Sequence, residues 1–187
     1  WGKGAQERVL EQERTNRGAW QQYGGATYAE AGRPEQLPAR QWPGRLEPAT
    51  TTDEAIEAVR GVIGGEDRTY SPGGLPMHVN AAALGRHMGN DLDRTRDLLL
   101  LDDALREPEE VWVAFERHAD TGRIRLRSRV IKAYAREEDK DKTGLVVFEA
   151  TGGMLQSWTF IASGARGYMN KQRRGKLIYA AESDDEE

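Results

Sequence analysis

The 187-residue chain contains no cysteine and only three histidines. Without cysteine it cannot form a disulfide, a thiolate nucleophile or a thiolate metal site. No apolar run approaches the length of a membrane span, and the N-terminus WGKGAQERVL is not a signal peptide. P-loop, GxGxxG, GxSxG and HExxH motifs are also absent. Because no two histidines have the helical spacing of a metal site, we expect no metal and no cofactor.

Charge is unevenly distributed, although the formal net charge is only −4. The last six residues, ESDDEE, include five acids, so the rest of the chain is nearly neutral. Basic residues concentrate in segments 121–136 (TGRIRLRSRVIKAYAR) and 166–176 (RGYMNKQRRGK), neither of which contains an acid. Local potential attracts a polyanion more than net charge does, so these segments are candidate contact sites. Since the chain begins with Trp1 instead of Met, we expect it to be part of a longer protein.

Segment 121–136 alternates with the period of two that is typical of a β-strand. One parity carries four arginines, here called the arginine face: Arg123, Arg125, Arg127 and Arg129. Two interpretations are open. The arginines bind phosphate, most naturally that of a nucleic acid, or they form a solvated outer face that acids on neighbouring strands balance.

The order of patterns predicts an α+β fold, with N-terminal helices packed on an antiparallel sheet of about four to five strands. Residues 1–50 are expected to form a short helix and a proline-rich connector, which packs along a surface or forms a flexible linker. Residues 51–181 are predicted to form the α+β domain, and 182–187 an acidic tail. A loop or short helix is predicted over 164–174.

Three helices are predicted in the α+β domain from capping and periodicity. The first begins at Thr52 or Asp53 and ends at Gly64. Asn80 caps the second, and the third covers residues 91–105.

The histidines suggest one chemical role. His87 lies in the middle of a predicted helix, where a lone histidine is often structural, whereas His78 is predicted in a strand and His118 in an exposed position beside a hairpin turn. A histidine near phosphate-binding cations can serve as acid or base in RNA cleavage, for which a 2′-hydroxyl nucleophile needs no metal. Hydroxyl groups that could orient a phosphate occur further along the chain, although each also suits an ordinary strand or core position: Ser157, Thr159 and Tyr179.

Two parts of the chain resemble known phage proteins. The segments RVLEQERTNRGAWQQYG and GRPEQLPARQWPG are similar to the C-terminal part of Mu protein F-like and SPP1-type head-morphogenesis (minor capsid) proteins. Residues from about 70 to 181 resemble phage-borne nuclease domains of the barnase–EndoU–colicin–RelE superfamily. The matching pieces are His87, Arg94, LREPEEVW, the arginine strand, SWTF and RRGKLIY.

The nuclease resemblance implies metal-independent RNase activity, with His87 as acid/base, Arg94 and Arg127 as phosphate ligands, and Thr159 and Tyr179 as supporting groups. Which of Arg125, Arg127 and Arg129 acts in catalysis is left open. The remaining predicted substrate contacts are Arg125, Arg129, Lys132, Ser157, Arg173 and Arg174.

The favoured hypothesis is therefore an endoribonuclease domain of a phage head protein or polymorphic toxin, acting in the host cytoplasm or carried in the virion. Its expected partners are RNA, or DNA in the alternative, phage head or portal proteins in the full-length protein, and an immunity protein, with no membrane. The alternative is a non-catalytic minor head module that binds nucleic acid or capsid partners. A third, weaker hypothesis is a transferase that uses NAD, since Arg, Ser-x-Thr and Tyr also serve that chemistry.

Overall fold

A computed structural model describes residues 2–16, 19–136, 139–162 and 170–182. The α-helices of this part are α1 (Lys3–Thr15), α2 (Thr52–Ile63), α3 (Ala81–Met88) and α4 (Leu99–Arg106). Its strands are β1 (Trp20–Gln22), β2 (Ala26–Thr27), β3 (Arg40–Gln41), β4 (Asp67–Tyr70), β5 (Met77–Asn80), β6 (Glu110–His118), β7 (Ile124–Arg136), β8 (Asp139–Thr151), β9 (Met154–Ala162) and β10 (Arg174–Ala180). The loop predicted at 164–174 and the acidic tail lie mostly outside the described residues. No described helix is both long and apolar enough to cross a membrane.

Capping residues account for the limits of α2 and α3. The hydroxyl of Thr51 accepts a hydrogen bond from the backbone N–H of Glu54, so α2 is capped one residue before the predicted positions. Gly64 ends α2 as predicted, in the left-handed conformation with φ of 83°. Asn80 caps α3 as predicted, since its side chain accepts from the backbone N–H of Ala83 at 2.8 Å.

The single helix predicted over 91–105 is wrong, because a 3₁₀ segment (Leu92–Asp97) precedes α4 there. The hydroxyl of Thr95 donates to the carbonyl of Leu92 at 2.6 Å and accepts from the backbone N–H of Ala49 at 2.8 Å. A buried threonine that bonds to backbone groups in this way competes with a regular helical ladder. The same residue therefore fixes the proline-rich connector against the domain.

The strands form one mixed sheet in the order β2-β10-β6-β7-β8-β9-β5-β4, with β1 beside β6 and β3 beside β7. Most pairs are antiparallel, and the parallel pairs are β3 with β7 and β5 with β9. The α+β class is confirmed. The predicted number of four to five strands is wrong, since ten are described. The five long strands β6–β10 match the expectation, whereas β1–β5 have two to four residues each and are too short to show a clear period.

Apolar side chains cover both faces of the sheet. The main core lies between one face and helices α2, α3 and α4, and it includes Val111, Val130 and Phe148. The opposite face carries a smaller cluster: Leu37, Trp112, Ile131, Ala133 and Val147. The arginine face is on this second side, because Ile131 and Ala133 continue its parity along β7.

The proline-rich connector is held on the sheet by a buried ion-pair cluster. Arg173 is 1% exposed and donates to both carboxylate oxygens of Glu110, at 2.6 and 2.9 Å. Arg33 donates to the same carboxylate at 2.6 Å. Arg173 also donates to the backbone carbonyls of Pro34 and Glu35. The connector therefore packs along the sheet, and the domain boundary predicted at residue 50 stays a prediction.

Candidate functional site

The arginine face is neutralised by carboxylates on the neighbouring strands. Nε of Arg127 lies 3.2 Å from Oε2 of Glu116, and its Nη2 donates to Glu149. Arg129 donates to Oε1 of Glu116 at 2.9 Å. Arg127 and Glu116 are only 4% and 1% exposed. Burial lowers the pKa of the Arg127 guanidinium, whereas the charges of Glu149 and Glu116 raise it. These arginines therefore already have anionic partners within the fold.

The N-terminal segment covers the rest of this face. In α1, Glu13 lies 3.5 Å from Nε of Arg123 and 3.4 Å from Nε of Arg125. The ring of Trp20 stacks on the guanidinium of Arg127, with 4.6 Å between the guanidinium carbon and the ring centroid. The charge balance matches the second interpretation of the arginine strand. Arg127 and Arg129 are covered by protein, however, whereas Arg123 and Arg125 stay partly exposed to solvent.

Two histidines line one small pocket near the end of the sheet formed by β5 and β4. His78 lies on β5, and His87 lies in the last turn of α3. The pocket has a volume of about 70 Å³. Besides the two histidines it is lined by one arginine, Arg14 of α1, which also forms an ion pair with Glu11 at 2.6 Å. The other lining residues are Val79, Asn80, Ala83, Leu84, Met154 and Leu155. The strand β5 and the helix that follows it thus bring two imidazoles together.

Hydrogen bonds hold the His78 ring between two side chains of β4. Its Nε2 lies 3.0 Å from Oδ1 of Asp67, and its Nδ1 lies 3.1 Å from the hydroxyl of Thr69. A carboxylate accepts only, so in the neutral ring Nε2–H donates to Asp67 and Nδ1 accepts from Thr69. Asn80 also donates to Asp67 at 2.8 Å, and this bond is the main reason that the pKa of Asp67 is lowered.

Arg94, a predicted phosphate ligand, contacts β9. Its guanidinium donates to the backbone carbonyl of Trp158 and lies over the indole ring, 4.9 Å from the centroid. Trp158 stacks in turn on Phe148, with a centroid separation of 5.6 Å. Arg94 thus joins the 3₁₀ segment to the sheet, and its predicted catalytic role stays a prediction.

The five residues predicted as catalytic do not meet in one site. Tyr179 on β10 is separated from Thr159 on β9 by three strands, which corresponds to roughly 19 Å at the usual strand spacing. Arg127 lies on the opposite face from Tyr179, since Tyr179 pairs with Val111 of the main core. Of the predicted set, His87 alone lines the histidine pocket.

The predicted substrate contacts are also dispersed. Lys132 is buried and donates to the carbonyl of Glu107 at 2.7 Å, and Arg173 is buried in the cluster described above. A substrate role for either residue would require these contacts to open. Arg174 is exposed on β10. Ser157 lies on β9 opposite Glu149, and its side chain is outside the described part of the chain.

One histidine was misplaced by the sequence prediction. His118 is 0% exposed, packs edge-on against Trp20 at 5.0 Å, and accepts a hydrogen bond from the backbone N–H of Thr121. The prediction that it is exposed is wrong, because β1 adds to β6 there and covers it. Among the described residues, no group of three or more His, Asp and Glu side chains is arranged to hold a metal ion.

The sequence prediction also missed the contact between His78 and Asp67. These residues lie on adjacent strands of the β4–β5 hairpin, in which Asp67 pairs with Asn80 and Thr69 with His78. The turn between the strands contains Pro72–Gly74. A prediction of the hairpin register around this turn would have brought His78 close to Asp67.

Comparison with protein families finds a match between residues 54–180, about two thirds of the chain, and the model described as phage-Barnase-EndoU-ColicinE5/D-RelE like nuclease2. The match covers α2 to β10 and contains both histidines of the pocket. No curated protein and no solved structure matches the chain significantly.

Proposed function

Because the chain belongs to the phage-Barnase-EndoU-ColicinE5/D-RelE like nuclease2 family, we propose that it is a metal-independent endoribonuclease domain. It would cleave RNA by attack of a 2′-hydroxyl on the adjacent phosphate. One observation carries the proposal: the imidazoles of His78 and His87 line one pocket together with the guanidinium of Arg14. This reaction needs a base, an acid and a positive group for the phosphorane, and these side chains provide all three.

His78 is the proposed base. Its Nδ1 accepts from the Thr69 hydroxyl, and a substrate 2′-hydroxyl that replaces this donor would pass its proton to Nδ1. The carboxylate of Asp67 on Nε2 would stabilise the imidazolium that forms. The 2′-oxygen would then form a bond to phosphorus.

His87 is the proposed acid. It lies in the last turn of α3, where the partial negative charge of the helix end favours a cation. It would give a proton to the 5′-oxygen as the bond between that oxygen and phosphorus breaks. The products would be a 2′,3′-cyclic phosphate and a 5′-hydroxyl.

The size of the pocket agrees with a phosphate as its occupant. A volume of about 70 Å³ has room for roughly five water molecules. A phosphate group fits a space of this size, so the pocket is suited to the reacting group.

The proposal extends to the biological setting. The resemblance of segments 8–24 and 32–44 to phage head-morphogenesis proteins supports a phage-encoded domain that accompanies head or portal proteins, with a polymorphic toxin as the alternative. A cell that makes an active RNase of this type would need an inhibitor, so we include an immunity protein among the proposed partners. Co-expression with neighbouring phage genes would test this, because a protective gene should restore growth to cells that make the domain.

The central experiment compares cleavage of labelled single-stranded RNA and matching DNA in the presence of EDTA. We expect RNA alone to be cut, and His87→Ala and His78→Ala each to lower the rate by about 100-fold or more. Arg86→Ala is the matched control, since Arg86 is exposed on the same helix. Unchanged cleavage by His87→Ala would remove this histidine from the mechanism. Binding without cleavage would favour the phage-head module.

A further inference from the structure

Large apolar side chains are exposed at one end of the β6–β7 hairpin, on the face opposite the arginine face. Phe115 is 67% exposed, Ile124 is 64% exposed and Leu126 is 39% exposed. Phe115 and Leu126 are direct cross-strand partners, and Ile124 pairs with Arg117. The same face carries the main core further along the strands, but at this end the described residues leave it uncovered.

Three cations surround these apolar side chains. Arg117 is exposed on the same face of β6, and Lys176 of β10 is exposed opposite Val113, also on this face. Arg174 is exposed two residues before Lys176 and so shares its side of the sheet. Within the described part of the chain, none of the three cations has a carboxylate at salt-bridge distance. We call this surface the hairpin platform: Phe115, Ile124, Leu126, Arg117, Arg174 and Lys176.

We propose that the hairpin platform binds the bases and phosphates of single-stranded RNA, an inference that rests on the proposed ribonuclease function. An exposed aromatic ring on a sheet surface, beside apolar neighbours and cations, is what a stacked nucleobase and its phosphate require. Binding by a second protein would require burial of the same apolar side chains. The cations favour a polyanion, because no described acid offsets their charge.

The platform lies on the face opposite the His78 side chain, so one RNA strand that reaches both has to pass around the sheet. Pairing of the strands places one residue from each of five strands in a single row: His78, Met154, Thr151, Arg127 and Ala114. Phe115 follows Ala114 directly. The lateral distance from β5 to β6, the strand that carries Phe115, is four strand spacings, roughly 19 Å. Single-strand-binding folds contact about 4–16 nucleotides, so a bound strand can span this distance.

The test measures binding of a fluorescent 2′-O-methyl RNA of about 12 nucleotides, within that site size. This probe has no 2′-hydroxyl nucleophile, so the wild-type chain binds it without cleaving it. Phe115→Ala should weaken binding by at least about fivefold, the lower limit for loss of one stacked base. Phe115→Trp should bind within about twofold of wild type, since it retains an aromatic face.

Tyr23→Ala is the matched control, because Tyr23 is 63% exposed in the N-terminal segment and outside the platform. Its affinity should equal that of wild type. Equal affinity of Phe115→Ala and wild type would overturn the inference. So would a wild-type dimer, seen by sedimentation, that becomes monomeric in Phe115→Ala, since the platform would then bind a second copy. If the probe binds at the platform but unmodified RNA is never cut, the ribonuclease proposal fails while the binding inference stands.

Discussion

The two faces of the β6–β7 hairpin differ in whether their positively charged side chains have carboxylate partners. On the arginine face, the guanidinium of Arg127 is 4% exposed and has Glu116 and Glu149 as partners. On the hairpin platform, Arg117 is exposed beside Phe115, and no carboxylate of the described residues pairs with it. The face with the more regular run of arginines is therefore the one that is already neutralised.

This comparison shows why a run of basic residues is a weak guide to a polyanion site. Desolvation of an ion is expensive, so buried arginines such as Arg127 persist only with carboxylates and hydrogen bonds around them. An exposed cation is solvated and needs no partner, and its potential extends into solvent. The useful signal is the absence of nearby acids in three dimensions, which an alternating sequence does not reveal.

The largest effect is expected from Glu116→Ala on the arginine face. The substitution leaves the buried guanidinium of Arg127 and the largely buried one of Arg129 without the carboxylate that both contact. Breaking a buried ion pair in this way costs about 3–5 kcal/mol. Urea unfolding should show this loss as a lower midpoint with an unchanged slope.

The matched control replaces Glu116 and both of its arginine partners with apolar residues: Glu116→Leu, Arg127→Met and Arg129→Met. Because the uncompensated charges are then removed as well, this triple variant should recover most of the lost stability. If Glu116→Ala unfolds within about 0.5 kcal/mol of wild type, which is typical of a surface change, the arginine face is not a neutralised interior.

The second-largest expected effect is a difference in RNA affinity between variants of the two faces. Arg117→Glu should weaken binding of the 2′-O-methyl RNA by about tenfold and reduce the salt dependence of binding, because a phosphate contact is lost. Arg125→Met should change affinity by less than about twofold, since Arg125 is occupied by Glu13. If Arg125→Met weakened RNA binding and Arg117→Glu did not, the arginine face would be the RNA-binding surface instead.

Features that depend on residues close together in the sequence were predictable. The alternation of residues 124–130 predicted strand β7, and the position of Asn80 predicted the cap of α3. The identity of charge partners was not predictable, because Glu13 and Arg125 are 112 residues apart and meet only when α1 lies on the sheet. Even Arg127 and Glu149, on adjacent strands, meet only in one register.

The candidate site followed the same rule. His87 was selected from its sequence context, yet its pocket depends on His78, whose partner Asp67 is brought close by hairpin pairing. The predicted hydroxyl ligands Thr159 and Tyr179 were chosen by residue type, and the strand order separates them. Residue types therefore suggested a chemistry, whereas strand order decided which side chains share a site.

The smallest expected effect is a difference between the two faces in how stability depends on pH. Burial raises the pKa of the Glu110 carboxyl, but hydrogen bonds from Arg173 and then Arg33 outweigh burial, so the net pKa is lowered. A lowered folded-state pKa contributes stability that is present above the ordinary glutamate pKa. This stability is lost as pH falls through the folded-state pKa, which lies below the ordinary glutamate pKa. In Arg33→Met, Glu110 loses one donor and its pKa moves back toward the ordinary value. The variant should be less stable than wild type at pH 7, and its stability should fall less steeply in acid.

Arg117→Met is the control, since that arginine has no carboxylate partner among the described residues, and the pH dependence of its stability in urea unfolding should run parallel to that of wild type. Equal slopes for wild type and Arg33→Met would mean that Arg33 does not lower the pKa of Glu110, and that this side of the sheet is held by packing instead of paired charge.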